Sequence, residues 1–472
     1  PAIIYGGKSL SFAQLGSLSA GAAKGLDSLG IKRGDRVALF LSNRPEFIAL
    51  YYACQLLGAI CVSISSASKA AEVAYLLKDS GAKAAITEEK LLRHFPHREK
   101  MPALEKFFSV DGNSWGGLLG EGYIEATEME SDDGAAMIYT SGTTGSPKGV
   151  LLTHGNVISN TEATALVCGV RPEDRTICFL PIYHSFGQNF IFNTALRSRS
   201  TLVLHQKFDL VEILASLREN KVTRFCAVPA IYIKILAEPG AESAFKTVRY
   251  CFSAASAMPR EVARRWKDRF GLDIHEGYGL TESSPFACYN HAQKIKTGSV
   301  GTPLPGVMVK VIDFRGREAG PGVPGELRIK GPNVMKGYWG RPEETKSAIE
   351  DGWLRTGDIG YMDEEGYFYL IDRLKEMINC SGLKVWPREV EEALYTHPMV
   401  RECAVVGVPH EVYGETVKAF IVPTRKEWAG EGELREHLAK ILSDYKIPRV
   451  FEFVHSLPKS PSGKILKRML AG

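Results

Sequence analysis

From residue 10 to about residue 300 the chain repeats one theme, a short apolar run followed by a longer stretch of helical period. The runs are RVALFLS, AICVSI, KAAIT, AAMIYT, RTICFLP, STLVLH, RFCAVP and VRYCFSAAS. Short apolar runs separated by helices of about ten or more residues call for parallel sheets covered by helices. This part of the chain is therefore α/β. Beyond about residue 300 the texture changes to glycine, proline and alternation, as in VGTPLPGVMVKVIDFRG and GELRIKGPNVMKGYW, which suits antiparallel strands with tight turns. A β-rich subdomain is expected over about 300–371. Near YFYLIDRLKEMINCSGLKVWPREVEEAL a strand enters a charged turn, a second strand is expected to pair with it, and a helix opens at Pro387. The remaining residues repeat the strand and helix theme and have the size of a separate unit. The boundary falls at Asp372, giving a large N-terminal domain, 1–371, and a small α+β C-terminal domain, 372–472.

A chain of 472 residues exceeds what one hydrophobic core serves, which agrees with that division. Its 44% apolar and 24% charged residues are those of an ordinary soluble globular protein, and a net charge of +4 gives no argument for nucleic acid. The nine cysteines form no CxxC pair and several sit inside apolar runs, so reduced, buried thiols in a cytoplasmic protein are expected. Residues 47–65 carry no charge, yet Gln55 and Gly58 interrupt them, and a helix followed by a strand accounts for them more simply than a membrane span. No signal peptide is visible ahead of AIIYGGKSLSF.

Between the apolar runs AAMIY and VLLTH stands TSGTTGSPKG. Gly142 and Gly145 free the backbone to bend and leave its amides uncovered, Ser141, Thr143, Thr144 and Ser146 donate hydrogen bonds, and Lys148 adds a positive charge. That mixture suits an anion with several oxygens, most simply a polyphosphate. It is not the common nucleotide loop, in which the lysine follows a glycine and precedes Ser or Thr; here Pro147 precedes Lys148 and Gly149 follows.

Three later segments carry further chemistry. HEGYGLTESSP is a second glycine-rich turn, in which Tyr278 offers a flat face to a base and the Glu282 carboxylate can serve Mg²⁺ beside phosphates. Asp358, in a Thr-Gly-Asp turn, can accept both hydroxyls of a ribose. In LPKSPSGKILKR, proline and glycine hold Lys464 on a basic loop that alone would read as a solvated tail.

Taken in order, YTSGTTGSPKG, YGLTE, TGD, IDRLKEMINCSG and PKSPSGK resemble the AMP-forming acyl-CoA synthetase family, which also holds luciferases and peptide-synthetase adenylation domains. Within it the chain looks most like bacterial medium- and long-chain fatty acid–CoA ligases. The resemblance implies that Thr140, Ser141, Gly142, Thr143, Thr144, Gly145 and Lys148 wrap the β- and γ-phosphates of ATP, and that Thr140 with Glu282 serves Mg²⁺. It further implies that Ala255, Ser256, Glu276, Gly277 and Tyr278 line the adenine, that Asp358 and Arg373 take the ribose with Lys375 nearby, and that Thr281 touches the α-phosphate. By the same resemblance Lys464 stands between carboxylate and phosphate, His184 lies at the mouth of the acyl pocket, the mobile C-terminal domain swings about a hinge at Asp372, and Ser381 and Gly382 then meet the CoA pantetheine. The alanines of SAASAM stand where many relatives have glycine or proline, and Asn379 where luciferases have lysine.

The expected reaction makes an acyl-AMP with release of pyrophosphate and then an acyl-CoA. The segments that would line the acyl pocket by the same resemblance, PIYHSFGQNF, AVPAIYIKIL, SAASAMP and SSPFACYN, offer aromatic, aliphatic and small side chains and few charges, which points to a medium- or long-chain fatty acid. An aryl acid, held between Tyr183, Phe186 and Tyr232, is the alternative, as is transfer to a carrier protein. Arg197 and Arg199 are the nearest cations. Peripheral membrane contact and a homodimer are left open.

Overall fold

The computed structural model describes residues 1–96, 101, 103–122, 124–140, 146–291, 294–411, 413–425, 428, 430–460 and 463–470. All eight apolar runs named above form strands, divided between two sheets. In the seven-stranded sheet, Arg36–Phe40, Ile60–Ile64, Ala84–Thr87 and Gly134–Thr140 run parallel. In the nine-stranded sheet, Arg175–Cys178, Thr201–Leu204, Arg224–Ala227, Tyr250–Ser253 and Ile274–Tyr278 do the same. Helices cover both sheets because each apolar run has two faces to bury. The uncharged stretch after residue 46 resolves into the helix Pro45–Leu57 and the fully buried strand Ile60–Ile64. Proline opens that helix and Gly58, in the left-handed region at φ 68°, closes it. Among the described residues no helix is long and apolar enough to cross a membrane.

A third sheet joins Met308–Ile312, Gly325–Lys330, Trp353–Met362 and Phe368–Arg373 in antiparallel pairs, matching the expected β-rich texture. One pairing differs from the sequence reading. Phe368–Arg373 pairs with Trp353–Met362, whereas Ile378–Cys380, beyond the charged turn, pairs with Leu383–Val385 in a fourth sheet. The polar turn 374–377 does not close a hairpin, because it carries the chain from one sheet into another. The fourth sheet also holds the long pair Val400–His410 and Gly414–Pro423, and the helix Pro387–Tyr395 packs beside it with proline at its first position. All nine cysteines are free and buried.

Candidate active site

The C-terminal ends of the parallel strands Tyr250–Ser253 and Ile274–Tyr278 open into a cavity of about 240 Å³, the place where open α/β sheets present ligand crevices. Ala255, Ser256, Glu276, Gly277 and Tyr278 line it, facing Asp358, Asp372, Arg373 and Lys464. Ala255 sits at φ 71°, in a region costly for any residue with a Cβ.

Asp358 is held from two sides. The Tyr278 hydroxyl donates to its Oδ2 at 2.7 Å, and Arg373 Nε lies 3.0 Å from its Oδ1. Strand register sets the second contact, since Asp358 stands opposite Arg373. A carboxylate oriented this way keeps lone pairs for a diol. Burial pushes the Tyr278 phenol well above its usual range, and the neighbouring Asp358 charge adds to this, so Tyr278 remains a donor.

Lys464 enters from the other side. Its loop docks on Val228, at the head of the helix Pro229–Leu236, and Gly463 makes the approach possible: it has φ 87°, and a Cβ there would lie 2.7 Å from Val228 Cγ2. Lys464 N donates to Ser460 Oγ at 3.1 Å, bracing the loop. Burial, and then the Arg373 charge, lowers the Lys464 ammonium from its ordinary value, while Glu376 and Asp358 oppose the shift. His184 lies within that field. Burial first, and the Lys464 charge second, bring its imidazole down to about 4, so it is neutral at pH 7. Ser185 Oγ is 3.2 Å from Thr281 Oγ1, which ties the His184 segment to the YGLTE turn.

The phosphate-side residues stand beyond this cavity's lining. Thr140 ends the strand Gly134–Thr140 in register with Lys148, which begins the strand Lys148–Thr153. Lys148 Nζ pairs with Glu344 at 2.5 Å and lies 5.1 Å from the Tyr338 ring centre. Glu282 accepts the Tyr338 hydroxyl at 2.9 Å on one oxygen and keeps the other. Ser141, Gly142, Thr143, Thr144 and Gly145 lie outside the described residues. Glu282 and Thr140 offer only oxygen, which fits Mg²⁺ that takes its remaining ligands from water and substrate phosphates.

Three expected residues lie away from the cavity in this arrangement. Lys375 is exposed on the turn after Arg373. Ser381 and Gly382 form the exposed tip of the hairpin joining Ile378–Cys380 to Leu383–Val385, where Gly382 N donates to Asn379 Oδ1 at 2.9 Å. Asp372 lines the cavity and is more than a link: its Oδ2 accepts from Arg388 N at 2.9 Å, capping the first turn of Pro387–Tyr395. Burial raises its carboxyl.

Sequence reasoning missed several partners. Tyr338 and Glu344 come from GYWGRPEET, a segment without a chemical signature of its own. Lys467, from the basic tail, pairs with Glu391 at 2.8 Å and Glu376 at 3.6 Å. Burial alone would lower its ammonium, yet Glu391, Asp372 and Glu376 outweigh that and hold it up. One aromatic offered for the acyl site, and one of the two cations named as nearest to it, point elsewhere. Tyr232 is buried with its hydroxyl on the Phe252 carbonyl at 2.9 Å, and Arg197 makes an exposed pair with Glu162.

Comparisons with known proteins agree with this geometry. The AMP-binding enzyme family model matches residues 1–339, and the model of the AMP-binding enzyme C-terminal domain matches 389–464. A long-chain-fatty-acid–CoA ligase of Bacillus subtilis is 36% identical, over 99% of this chain and 91% of its own. A feruloyl-CoA synthase of an Amycolatopsis species is also 36% identical, over 99% and 94%. The solved structure of the anthranilate CoA ligase AuaEII in complex with anthranoyl-AMP superposes with a TM-score of 0.93 at 28% identity, covering 99% of this chain and 93% of that one. The chain belongs to the AMP-binding enzyme family, the AMP-forming acyl-CoA synthetases. It is an enzyme of the acid–thiol ligase class, which works with ATP, Mg²⁺ and CoA.

Proposed function

We propose that this protein joins an apolar monocarboxylic acid to CoA through an acyl-AMP intermediate. The observation that carries the reading is Lys464, buried in the cavity that also holds the braced Asp358. A carboxylate is a poor acceptor for a thiol, so it is first made an anhydride with AMP. Its oxygen attacks the α-phosphate and pyrophosphate leaves. Two anions must approach, and Lys464 stabilises the charge that develops between them. Asp358 and Arg373 fix the ribose, Ala255, Ser256 and Glu276 to Tyr278 hold the adenine, and Thr281 orients the α-phosphate. His184, neutral at pH 7, walls the acyl side without adding charge. The 140–148 loop holds the β- and γ-phosphates. Glu282 and Thr140 would hold Mg²⁺, which supplies charge neutralisation on the departing pyrophosphate.

In the second half-reaction a thiol must reach the acyl carbon where Lys464 now stands. The C-terminal domain, 372–472, turns about Asp372, withdraws Lys464 and brings Ser381 and Gly382 to the pantetheine. The exposure of that hairpin tip in this arrangement supports the reading. The free, buried cysteines support a reducing, cytoplasmic location.

For the acid, a medium- or long-chain fatty acid is the primary reading. Arg197, one of the two nearest cations, is exposed and paired with Glu162, so it is not held ready for the second carboxylate of a diacid. An aryl acid is the second reading, favoured by the aromatic rings behind Gly277. Pyrophosphate release over a panel of acids, with and without CoA, tests the whole assignment. Release that depends on an acid, and acyl-CoA that appears only with CoA, is the expected result; transfer to a carrier protein but not to CoA would replace the acceptor.

A further inference from the structure

The carboxylate of the acid must lie by Lys464, so the rest of the molecule leaves on the side away from the nucleotide. Gly277 lines the cavity that Lys464 enters, and His184, just ahead of the segment Phe186–Asn193, lies within reach of the Lys464 charge. Directly behind Gly277 stand two rings: a Cβ built there would lie 2.6 Å from Phe252 Cζ and 2.9 Å from Phe286 Cε1. These rings belong to a closed set of four. Phe190 stacks on Phe252 at 4.2 Å between centres, Phe286 meets Phe190 at 4.7 Å and Phe252 at 5.3 Å, and Phe186 meets Phe190 at 5.3 Å. Phe186 completes the set at 5.9 Å from Phe252 and 5.8 Å from Phe286. Each of the four is at most 4% exposed. Rings this close leave no lane for a methylene chain between them, because its entry would force several side chains off their packed positions together.

The set is anchored from three directions. Phe252 lies on a central parallel strand. Phe286 is held by Asn160, whose Nδ2 donates to its carbonyl at 2.7 Å and whose Oδ1 accepts its N–H. Phe186 and Phe190 lie on the fully buried π-helical segment Phe186–Asn193. Behind Phe190 is a cavity of only about 10 Å³, room for about one water, reaching Thr164 and Arg224. The wall is therefore thick, but a truncated ring would join the acyl site to space beyond it.

We propose that Phe186, Phe190, Phe252 and Phe286 form a fixed end wall of the acyl site, so that it takes an acid of medium length or a single aromatic ring and rejects long-chain acids. This rests on the ligase reading and sharpens it, setting an upper bound below the long-chain acids that the sequence alone leaves in play. Phe286 and Phe190 are its specificity-determining residues.

The test is acid-dependent pyrophosphate release by the full chain with saturated acids from acetate to palmitate, and with benzoate and cinnamate, for the unaltered protein and for Phe286→Val and Phe190→Ala. The unaltered protein should favour its best acid of eight or fewer carbons, or its best single-ring acid, over palmitate by roughly tenfold or more in kcat/KM. Both variants should move the optimum to longer acids while the KM for ATP stays in place. Should Phe190→Ala not fold, the milder Phe286→Val decides. Palmitate turned over as well as octanoate by the unaltered protein would overturn the wall, as would folded variants whose optimum does not move. Release with no acid in the panel would instead overturn the ligase reading, and the wall with it.

Discussion

The ring-lined wall behind Gly277 and the charged wall contributed by residues 372–467 meet at the same site, yet they are built from opposite materials. The first is four phenylalanines in mutual contact, with no group that water would compete for. The second is Asp372, Arg373, Glu376, Arg388, Glu391, Lys464 and Lys467, arranged in ion pairs and capping bonds. Apolar packing loses a cavity's worth of stability when it opens, so it suits a surface whose shape should not change. Buried ion pairs cost desolvation to form and recover hydration when they part, so they suit a surface that must part and re-form. On the proposed reading, the rigid side selects the acid and the movable side orders the two steps.

The largest effect expected on the charged wall is that of Lys464→Ala. Adenylation should fall by about two to three orders of magnitude, or about 3 to 4 kcal/mol, while transfer from supplied acyl-AMP to CoA is largely kept. Half-reaction assays decide this, and equal losses in both steps would erase the division of labour between the walls.

Next comes the pH response of Glu276, which lies where the walls meet. Burial raises its carboxyl to about 7, with Arg388 and the Met258 N–H opposing the shift and Glu392 adding to it. A carboxyl raised in the folded state stabilises that state below its ordinary value of about 4.5, and the contribution is lost as pH climbs through about 7. The loss amounts to about 3 kcal/mol. The shift at His184 runs the other way, its contribution being present above 6.5 and lost as pH falls towards 4, so the informative quantity is a difference. Thermal midpoints measured from pH 5 to 8 should fall less steeply for Glu276→Gln than for the unaltered protein. Parallel curves would mean that the Glu276 carboxyl is not held neutral.

Asp372→Pro is expected to slow thioester formation by roughly tenfold while adenylation persists, because a fixed φ removes freedom at the proposed pivot. Since Asp372 also caps the helix Pro387–Tyr395, Asp372→Asn is the control that keeps a cap. Normal rates of both steps in the proline variant would move the pivot elsewhere. The smallest effect falls on the fixed side of the nucleotide: Tyr278→Phe removes one hydrogen bond to Asp358, worth about 1 kcal/mol, and should raise the KM for ATP about fivefold. A loss of kcat without a change in KM would place Tyr278 in the chemistry instead.

How much of this could be read beforehand followed the kind of signal each element carries. The parallel strands were legible because a strand buried on two faces is a continuous apolar run, and RFCAVP and VRYCFSAAS are such runs. Asp358 and Arg373 could be named together only through family resemblance, and the strand register that sets them opposite one another is a long-range fact. The pairing of Phe368–Arg373 was misread because a charged turn between two apolar runs looks the same whether it closes a hairpin or crosses between sheets. Tyr232 was misassigned because an aromatic near a site gives no hint of where its hydroxyl finds a partner. The four-ring wall was invisible for the same reason: Phe186, Phe252 and Phe286 are far apart in the chain, and only the fold brings them into contact.

The fit of Gly463 on Val228 bears on timing as well as on shape. A Cβ added at residue 463 would come within 2.7 Å of Val228 Cγ2, so the seated loop has no room there for an added methyl without a shift. If the C-terminal domain swings as proposed, the fraction of time Lys464 spends in the site works as a duty cycle, set in part by this contact. Trimming Val228 or adding a methyl at residue 463 would retime the enzyme, changing how often the first step can fire without altering how fast it goes once the lysine is seated.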